Sequence, residues 1–193
     1  MSRSGRVRAG GGAGPVDAPR QPVPPTIVRA ARAGEAPAIA AIYTQGIEDR
    51  TATFETEPRT AAQMADYLAE RAGRYPVIVA EREGRVVAWA AASQYRPRAC
   101  YDGVAECSVY VARDARGTGA GRAALAGLVA SCEAAGFWKL VSRVFPENVA
   151  SRRLCAGLGF REVGVYRRHA RLDGRWRDTV IVELLIGEAR DDA

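Results

Sequence analysis

The sequence lacks what several large classes of protein require. It has one histidine, His169, and its four cysteines, Cys100, Cys107, Cys132 and Cys155, form no C-x-x-C pair. A tetrahedral zinc site draws on four N, S or O ligands at close spacing, so no metal is expected. The chain opens without a secretory hydrophobic segment, and 193 residues can fold without covalent staples. A disulfide framework is therefore not expected, and the expected compartment is the reducing cytoplasm. No apolar run approaches the ~18 residues that a membrane-spanning helix needs, so no membrane partner is expected. Lysine is almost missing too: Lys139 is the only one, and arginine carries the positive charge.

What is present fits one globular domain. The chain is 48% hydrophobic and 26% charged, which excludes a fibrous or wholly disordered protein. About half of the net charge of +6 comes from Arg3, Arg6, Arg8 and Arg20 against Asp17. Residues 1–24 are rich in Gly, Pro and Arg with almost nothing to bury, and read as a disordered extension. Four arginines there supply too little salt-dependent affinity for a nucleic-acid tail, and the charge left on residues 25–193 is ordinary for a soluble enzyme. No nucleic-acid partner is expected.

From Thr26 the pattern becomes α/β. Thr26–Ala30 reads as a short strand, and Ala36–Asp49 is apolar at helical spacing through Ile39, Ile42, Tyr43 and Ile47. Thr60–Ala72 is a second helix. Val77–Glu81 and Val86–Gln94 form a hairpin around Glu83-Gly84. Ala105–Val111 is a strand, Gly119–Ala135 a helix, Leu140–Val144 a strand and Asn148–Leu158 a short helix. Phe160–Arg171 and Thr179–Leu185 are strands joined through the turn Asp173-Gly174. The order predicts an α/β (α+β) fold: a mixed sheet of about seven strands with helices on both faces.

The most informative stretch runs from Ser108 to Leu125. A strand leads into Arg116-Gly117-Thr118-Gly119-Ala120-Gly121 and then a helix. Alternating glycines let the backbone approach a bulky anion and adopt positive φ. The unpaired N–H groups and positive end of the following helix face the same spot, which suits a pyrophosphate. A dinucleotide-binding Rossmann unit is excluded, because the motif lies late, outside a βαβ unit and without an acidic ribose partner. A Walker loop is excluded because no Gly-Lys-Ser/Thr follows.

Arg116 through Gly121 resembles the R/Q-x-x-G-x-G/A motif of the GCN5-related N-acetyltransferase (GNAT) superfamily. Pro146-Glu147-Asn148-x-Ala150-Ser151 and Leu158-Gly159-Phe160 follow in register. The resemblance covers roughly Ile27 to Gly187, so residues 25–189 are expected to be one N-acetyltransferase domain. It is closest to the branch that acetylates phosphinothricin, methionine sulfoximine and arsinothricin. That likeness is carried by Thr53-Phe54-Glu55, Tyr95-Arg96-Pro97-Arg98-x-x-Tyr101, Ala105 through Val111 and Gly174-x-Trp176-x-Asp178.

The resemblance implies acetyl-CoA as co-substrate, lying in a gap between Ala105–Val111 and Leu140–Val144. Main-chain groups of Val109 and Val111 would pair with its pantetheine arm. Arg116, Gly117, Thr118, Gly119, Ala120, Gly121 and Arg122 would surround the pyrophosphate, with Asn148 and Ser151 on the pantetheine side; Asn148 also suits a plain helix N-cap. Glu106, in an apolar strand beside that segment, is the expected proton acceptor, made more basic by burial and acting through water. Its bland alternative is a structural carboxylate paired with Arg96 or Arg98. Where many relatives carry a tyrosine as acid for the CoA sulfur, this chain has Cys155, which reads as a small buried thiol; the acid stays unassigned. His169 reads as structural.

Arg96 and Arg98 are alternate residues that would point together at one anionic group of the acceptor, with Phe54, Glu55 and Tyr101 as pocket walls. The expected function is N-acetylation of the α-amino group of a small anionic amino acid, a glutamate mimic, by a homodimer, conferring antibiotic or herbicide resistance. The alternatives are acetylation of another small amine or a protein N-terminus, and a non-catalytic acyl-CoA-binding module.

Overall fold

A computed structural model describes residues 24–190. The expected extension over residues 1–24 falls, Pro24 apart, outside the described residues. The described chain runs β1 (Ile27–Ala30), α1 (Ala36–Glu48), α2 (Ala61–Arg71), β2 (Val77–Arg82), β3 (Arg85–Gln94), β4 (Val104–Val111), α3 (Ala120–Ala134), β5 (Lys139–Val144), α4 (Val149–Ala156), β6 (Arg161–Leu172) and β7 (Arg175–Leu185). Short 3-10 turns occupy Ala33–Glu35, Ala99–Tyr101, Arg113–Ala115 and Gly187–Arg190.

Local chemistry sets most of these boundaries. Thr60 and Gln63 form a reciprocal capping box at the start of α2, and Pro37 occupies the first turn of α1. Both hairpins turn on two residues with positive φ: Glu83 and Gly84 at 50° and 76°, Asp173 and Gly174 at 48° and 76°. That is the type I′ geometry, whose twist matches the flanking strands. Because the second turn is so tight, Leu172 pairs directly with Arg175, and β7 begins four residues before the Thr179 expected from sequence. β6 bulges between Tyr166 and Ala170, where Arg168 has φ 47° and its N–H donates to Asp178 Oδ1 at 2.7 Å.

The seven strands form one sheet in the order β1-β2-β3-β4-β5-β7-β6. Every pairing is antiparallel except β4 with β5. Strand alternation divides the layers. One face presents Trp89 and Tyr110 to α1 and α2: Trp89 stacks on Tyr110 at 4.9 Å and meets Tyr43 and Tyr67 edge-on at 5.6 and 6.0 Å. The other face receives α3, where a Cβ on Gly127 would collide with Val28 and Ile78. Ala88, Ala90, Ala105, Ala120, Ala124, Leu125, Leu128 and Leu140 are fully buried, so small side chains let the helix lie close to the sheet. The expected mixed sheet covered by helices on both faces is what forms.

Candidate active site

The parallel pair β4 and β5 is hydrogen-bonded only briefly, Val104 to Glu106 against Lys139 to Val141. β3 continues along β4 to Val111, and β7 continues along β5 to Val144. The two strands therefore splay beyond Glu106 and Val141, leaving main-chain groups of β4 without a β5 partner. An edge of that kind can pair with an extended ligand. The splay opens a cleft of about 970 Å³ lined by Val109 and Val111 on one arm and Arg143 to Phe145 on the other.

The glycine turn closes one end of the cleft. Gly117 and Gly119 have φ of 73° and 87°, and Gly119 caps α3 without any side-chain partner. A Cβ added at either position would meet nothing within 4 Å, so open space lies before the first N–H groups of a 15-residue helix. Arg116, Gly117, Gly119, Gly121 and Arg122 all line the cleft. Arg116 is held by Asp49 at 2.6 Å, and Arg122 donates to the Gly157 carbonyl at 2.7 Å. Burial opposes ionisation of Asp49, yet hydrogen bonds from Arg113 and Arg116 outweigh it and hold the carboxyl below its ordinary value. Thr118 turns away: its hydroxyl donates to the Ala115 carbonyl and accepts from Arg82, both at 2.6 Å. Ala120, the first residue of α3, is fully buried and also lies off the lining. Fixed N–H groups, a helix dipole and two tethered guanidiniums suit a diphosphate.

Glu106 stands at the point of splay. Its side chain shares a face with Ser108 and Tyr110, the face that α1 and α2 cover. Rather than Arg96 or Arg98, its partner is Arg143, whose Nε and Nη2 donate at 3.0 and 2.7 Å to its two oxygens. The Glu106 side chain is 28% exposed, so the dry surroundings expected from the apolar strand are not what it has: the arms have parted there and water reaches it. Asn148 accepts from the Ser151 N–H at 3.0 Å and donates to the Thr51 carbonyl at 3.0 Å, which makes it the N-cap of α4 while both residues line the cleft. Cys155 also faces the cleft; burial pushes its thiol up to about 11. Burial likewise raises the Cys107 thiol.

The acceptor residues expected from sequence divide into two groups. Phe54 and Glu55 line the cleft, Phe54 meeting Phe145 edge-on at 4.8 Å and Glu55 pairing with Arg59 at 2.6 Å. Arg96, Arg98 and Tyr101 do not line it. Both arginines are exposed, and Tyr101 packs edge-on against Tyr95 at 5.6 Å. The alternation that was to aim both guanidiniums at one group needs an extended strand. The segment instead bends from Tyr95 to Arg98 and ends in a 3-10 turn. His169 sits on the β6 bulge, 6.4 Å from the Phe54 ring.

Tyr67, Arg71, Arg143 and Phe145 are among the lining residues that the sequence did not point to. Arg143 carried a usable signal, as a charged residue inside the strand Lys139–Val144 on the side of Val141. Arg71, in the last turn of α2, looks in sequence like any solvated helix-end arginine. Among the described residues, no group of three or more His, Cys, Asp or Glu could hold a metal, and no helix is long and apolar enough to cross a membrane.

A splayed parallel strand pair facing a glycine-rich helix entry defines an acyltransferase of the GNAT class. The acetyltransferase (GNAT) family pattern matches residues 39–160, and the chain belongs to that family. Among its relatives, phosphinothricin N-acetyltransferase of Alcaligenes faecalis is 40% identical over 159 residues, 81% of this chain and 80% of the relative. L-methionine sulfoximine/L-methionine sulfone acetyltransferase of Pseudomonas paraeruginosa is 32% identical over 165 residues, 84% and 96% of the two chains. A solved GNAT superfamily phosphinothricin acetyltransferase from Sinorhizobium meliloti, in complex with AcCoA, superposes with a TM-score of 0.80. It is 33% identical, with 86% of this chain and 91% of that one covered.

Proposed function

We propose that this chain is a cytoplasmic acetyl-CoA-dependent N-acetyltransferase of small anionic α-amino acids. The glutamate mimics phosphinothricin, methionine sulfoximine and arsinothricin are its acceptors. Acetylation removes the basic amine by which such a compound passes for an amino acid, and resistance follows. The observation that carries the reading is the splay: a strand edge open to pantetheine, a glycine turn at one end and a carboxylate at the other. The relatives' substrates, the AcCoA complex of the structural neighbour and four free cysteines add support.

In this reading Arg116, Gly117, Gly119, Gly121 and Arg122 hold the pyrophosphate, and the open edge at Val109 and Val111 aligns pantetheine, with Asn148 and Ser151 opposite. Acetyl-CoA supplies an acetyl group on a thioester. The neutral amine attacks the carbonyl carbon, the C–S bond breaks and CoA leaves as thiolate. Glu106, oriented by Arg143, takes the amine proton through water; an α-amino group titrates near 8, so an acceptor speeds the step at neutral pH. A β4 amide near Val109 polarises the carbonyl oxygen. Phe54 and Glu55 wall the acceptor, and Arg96 and Arg98, on the loop that leaves β3 after Gln94, draw in its negative charge. A homodimer through the β6 edge is part of the proposal, because Val163, Val165 and Tyr166 on β6 and Trp176 on the adjoining β7 are about half exposed.

The test is thiol release from acetyl-CoA with phosphinothricin, arsinothricin, methionine sulfoximine, ordinary amino acids, a polyamine and an N-terminal peptide. Turnover led by the three mimics and reduced roughly a hundredfold or more in Glu106→Gln is expected. Turnover confined to the polyamine or peptide refutes the acceptor assignment. Acetyl-CoA binding without turnover of any amine returns the chain to a binding module.

A further inference from the structure

The cleft contains one arginine that the fold both shields from solvent and leaves uncompensated; Arg153 also lines it, but is exposed. Arg116 is held by Asp49, Arg122 by the Gly157 carbonyl and Arg143 by Glu106. Arg71 also lines the cleft, with a side chain only 18% exposed. Its nearest carboxylate is Glu70, 3.9 Å away and itself 75% exposed. Nη1 donates to the Tyr67 carbonyl at 3.1 Å, while Nε is buried without any partner. The guanidinium carbon lies 3.4 Å from the centre of the Tyr67 ring, so stacking fixes the group in place. A desolvated cation with an unused donor is costly to keep unless something pairs with it.

Its position indicates what that partner is. The Arg71 carbonyl accepts from the Tyr75 N–H, and the adjoining Pro76 carbonyl accepts from Ala92. Ala92 lies beside Ser93, which pairs with Glu106. The glycine turn leaves β4 after Val111, five residues further along, or about 17 Å of extended strand. Arg71 thus belongs to the Glu106 end of the cleft, on the same face of the sheet, and not to the phosphate end.

We infer that Arg71, held flat by Tyr67, is the receptor for an oxyanion group of the acceptor, its α-carboxylate or a distal phosphinate. The inference rests on the proposed acceptor class and adds a fixed receptor on α2 to the exposed Arg96 and Arg98, which draw the acceptor in. A planar fork matches either group, and the carboxylate or phosphinate satisfies the orphaned donor that the free protein leaves unpaired.

The experiment compares wild type, Arg71→Met and Arg71→Lys on methionine sulfone, phosphinothricin and the α-carboxamide of each. Acetyl-CoA affinity and melting temperature serve as fold controls. Both acids are expected to lose roughly tenfold or more in kcat/KM in Arg71→Met, the loss entering through KM, while the methionine sulfone carboxamide loses nothing. The lysine variant recovers part of the loss, since it keeps the charge without the fork. Loss on both acids assigns the α-carboxylate; loss on phosphinothricin and its carboxamide alone assigns the phosphinate. An Arg71→Met enzyme with the wild-type ratio of acid to carboxamide and the wild-type preference for phosphinothricin overturns the inference. A wild type that turns over no α-amino acid removes the acceptor class itself and this assignment with it.

Discussion

Gly103 precedes β4 by one residue, where the β4–β5 pairing begins, and its replacement by alanine tests how that junction is built. A Cβ there would lie 1.9, 2.2 and 2.3 Å from three ring atoms of Trp138, more than 1 Å inside ordinary contact. The indole cannot yield by a small shift, because its backbone is fixed on both sides. The Trp138 N–H donates to the Gly103 carbonyl at 2.8 Å, and its carbonyl accepts from Ile186 at 2.9 Å. The ring must change rotamer outward, which by analogy with overpacked cores costs about 1–3 kcal/mol. At ~2–4 °C per kcal/mol for a domain of this size, Gly103→Ala should melt roughly 2–12 °C below wild type. Differential scanning calorimetry reads the melting point, and tryptophan emission should shift red as the indole enters water. Trp138→Ala removes the obstacle, so in the double variant the Gly103→Ala penalty should largely vanish. A Gly103→Ala protein that melts with wild type and keeps its emission maximum would refute the close-approach argument.

Gly119→Ala should separate strain from ligand binding: with φ at 87° and no neighbour within 4 Å, it should destabilise by only about 1–2 kcal/mol, yet acetyl-CoA titration should show a larger proportional loss because the methyl fills the space in front of α3. A thiol reagent at pH 8 should modify Cys100 quickly and the buried Cys107, Cys132 and Cys155 only after denaturation, since burial pushes the latter two thiols to about 12 and about 11; a second fast thiol would contradict the packing around α3 and α4. Glu183 is buried, and although that burial opposes ionisation, Lys139 and then Arg161 bring its carboxyl below the ordinary 4.5; Asp49 is likewise held below 3.8. Both bind protons less readily folded than unfolded, so their contribution is complete above those ordinary values and is lost as pH falls through the lower folded ones; urea melts between pH 6 and 3 should show it, and Glu183→Gln should flatten the fall.

Much of this was legible in the chain because it is local. The two turns Glu83-Gly84 and Asp173-Gly174, the helical spacing of Ile39, Ile42 and Ile47, and the glycines after Arg116 each act through neighbouring backbone, so their structural outcome follows from a few residues. What needed the fold was contact between distant segments. Glu106 meets Arg143 because two strands diverge, and no spacing rule contains that geometry. Arg71 enters the cleft because Tyr67 packs toward Trp89 on the sheet. Strand alternation would aim Arg96 and Arg98 together, but it lapses once the segment bends.

The most direct test of the central claim is a competition: purified protein, acetyl-CoA and an equimolar mixture of phosphinothricin, methionine sulfoximine, glutamate, a polyamine and an N-terminal peptide, with products read by mass spectrometry. The account predicts that the acetyl group appears first and mainly on the α-nitrogen of the two glutamate mimics. Acetyl appearing chiefly on the polyamine or peptide, or only as free acetate, would contradict it.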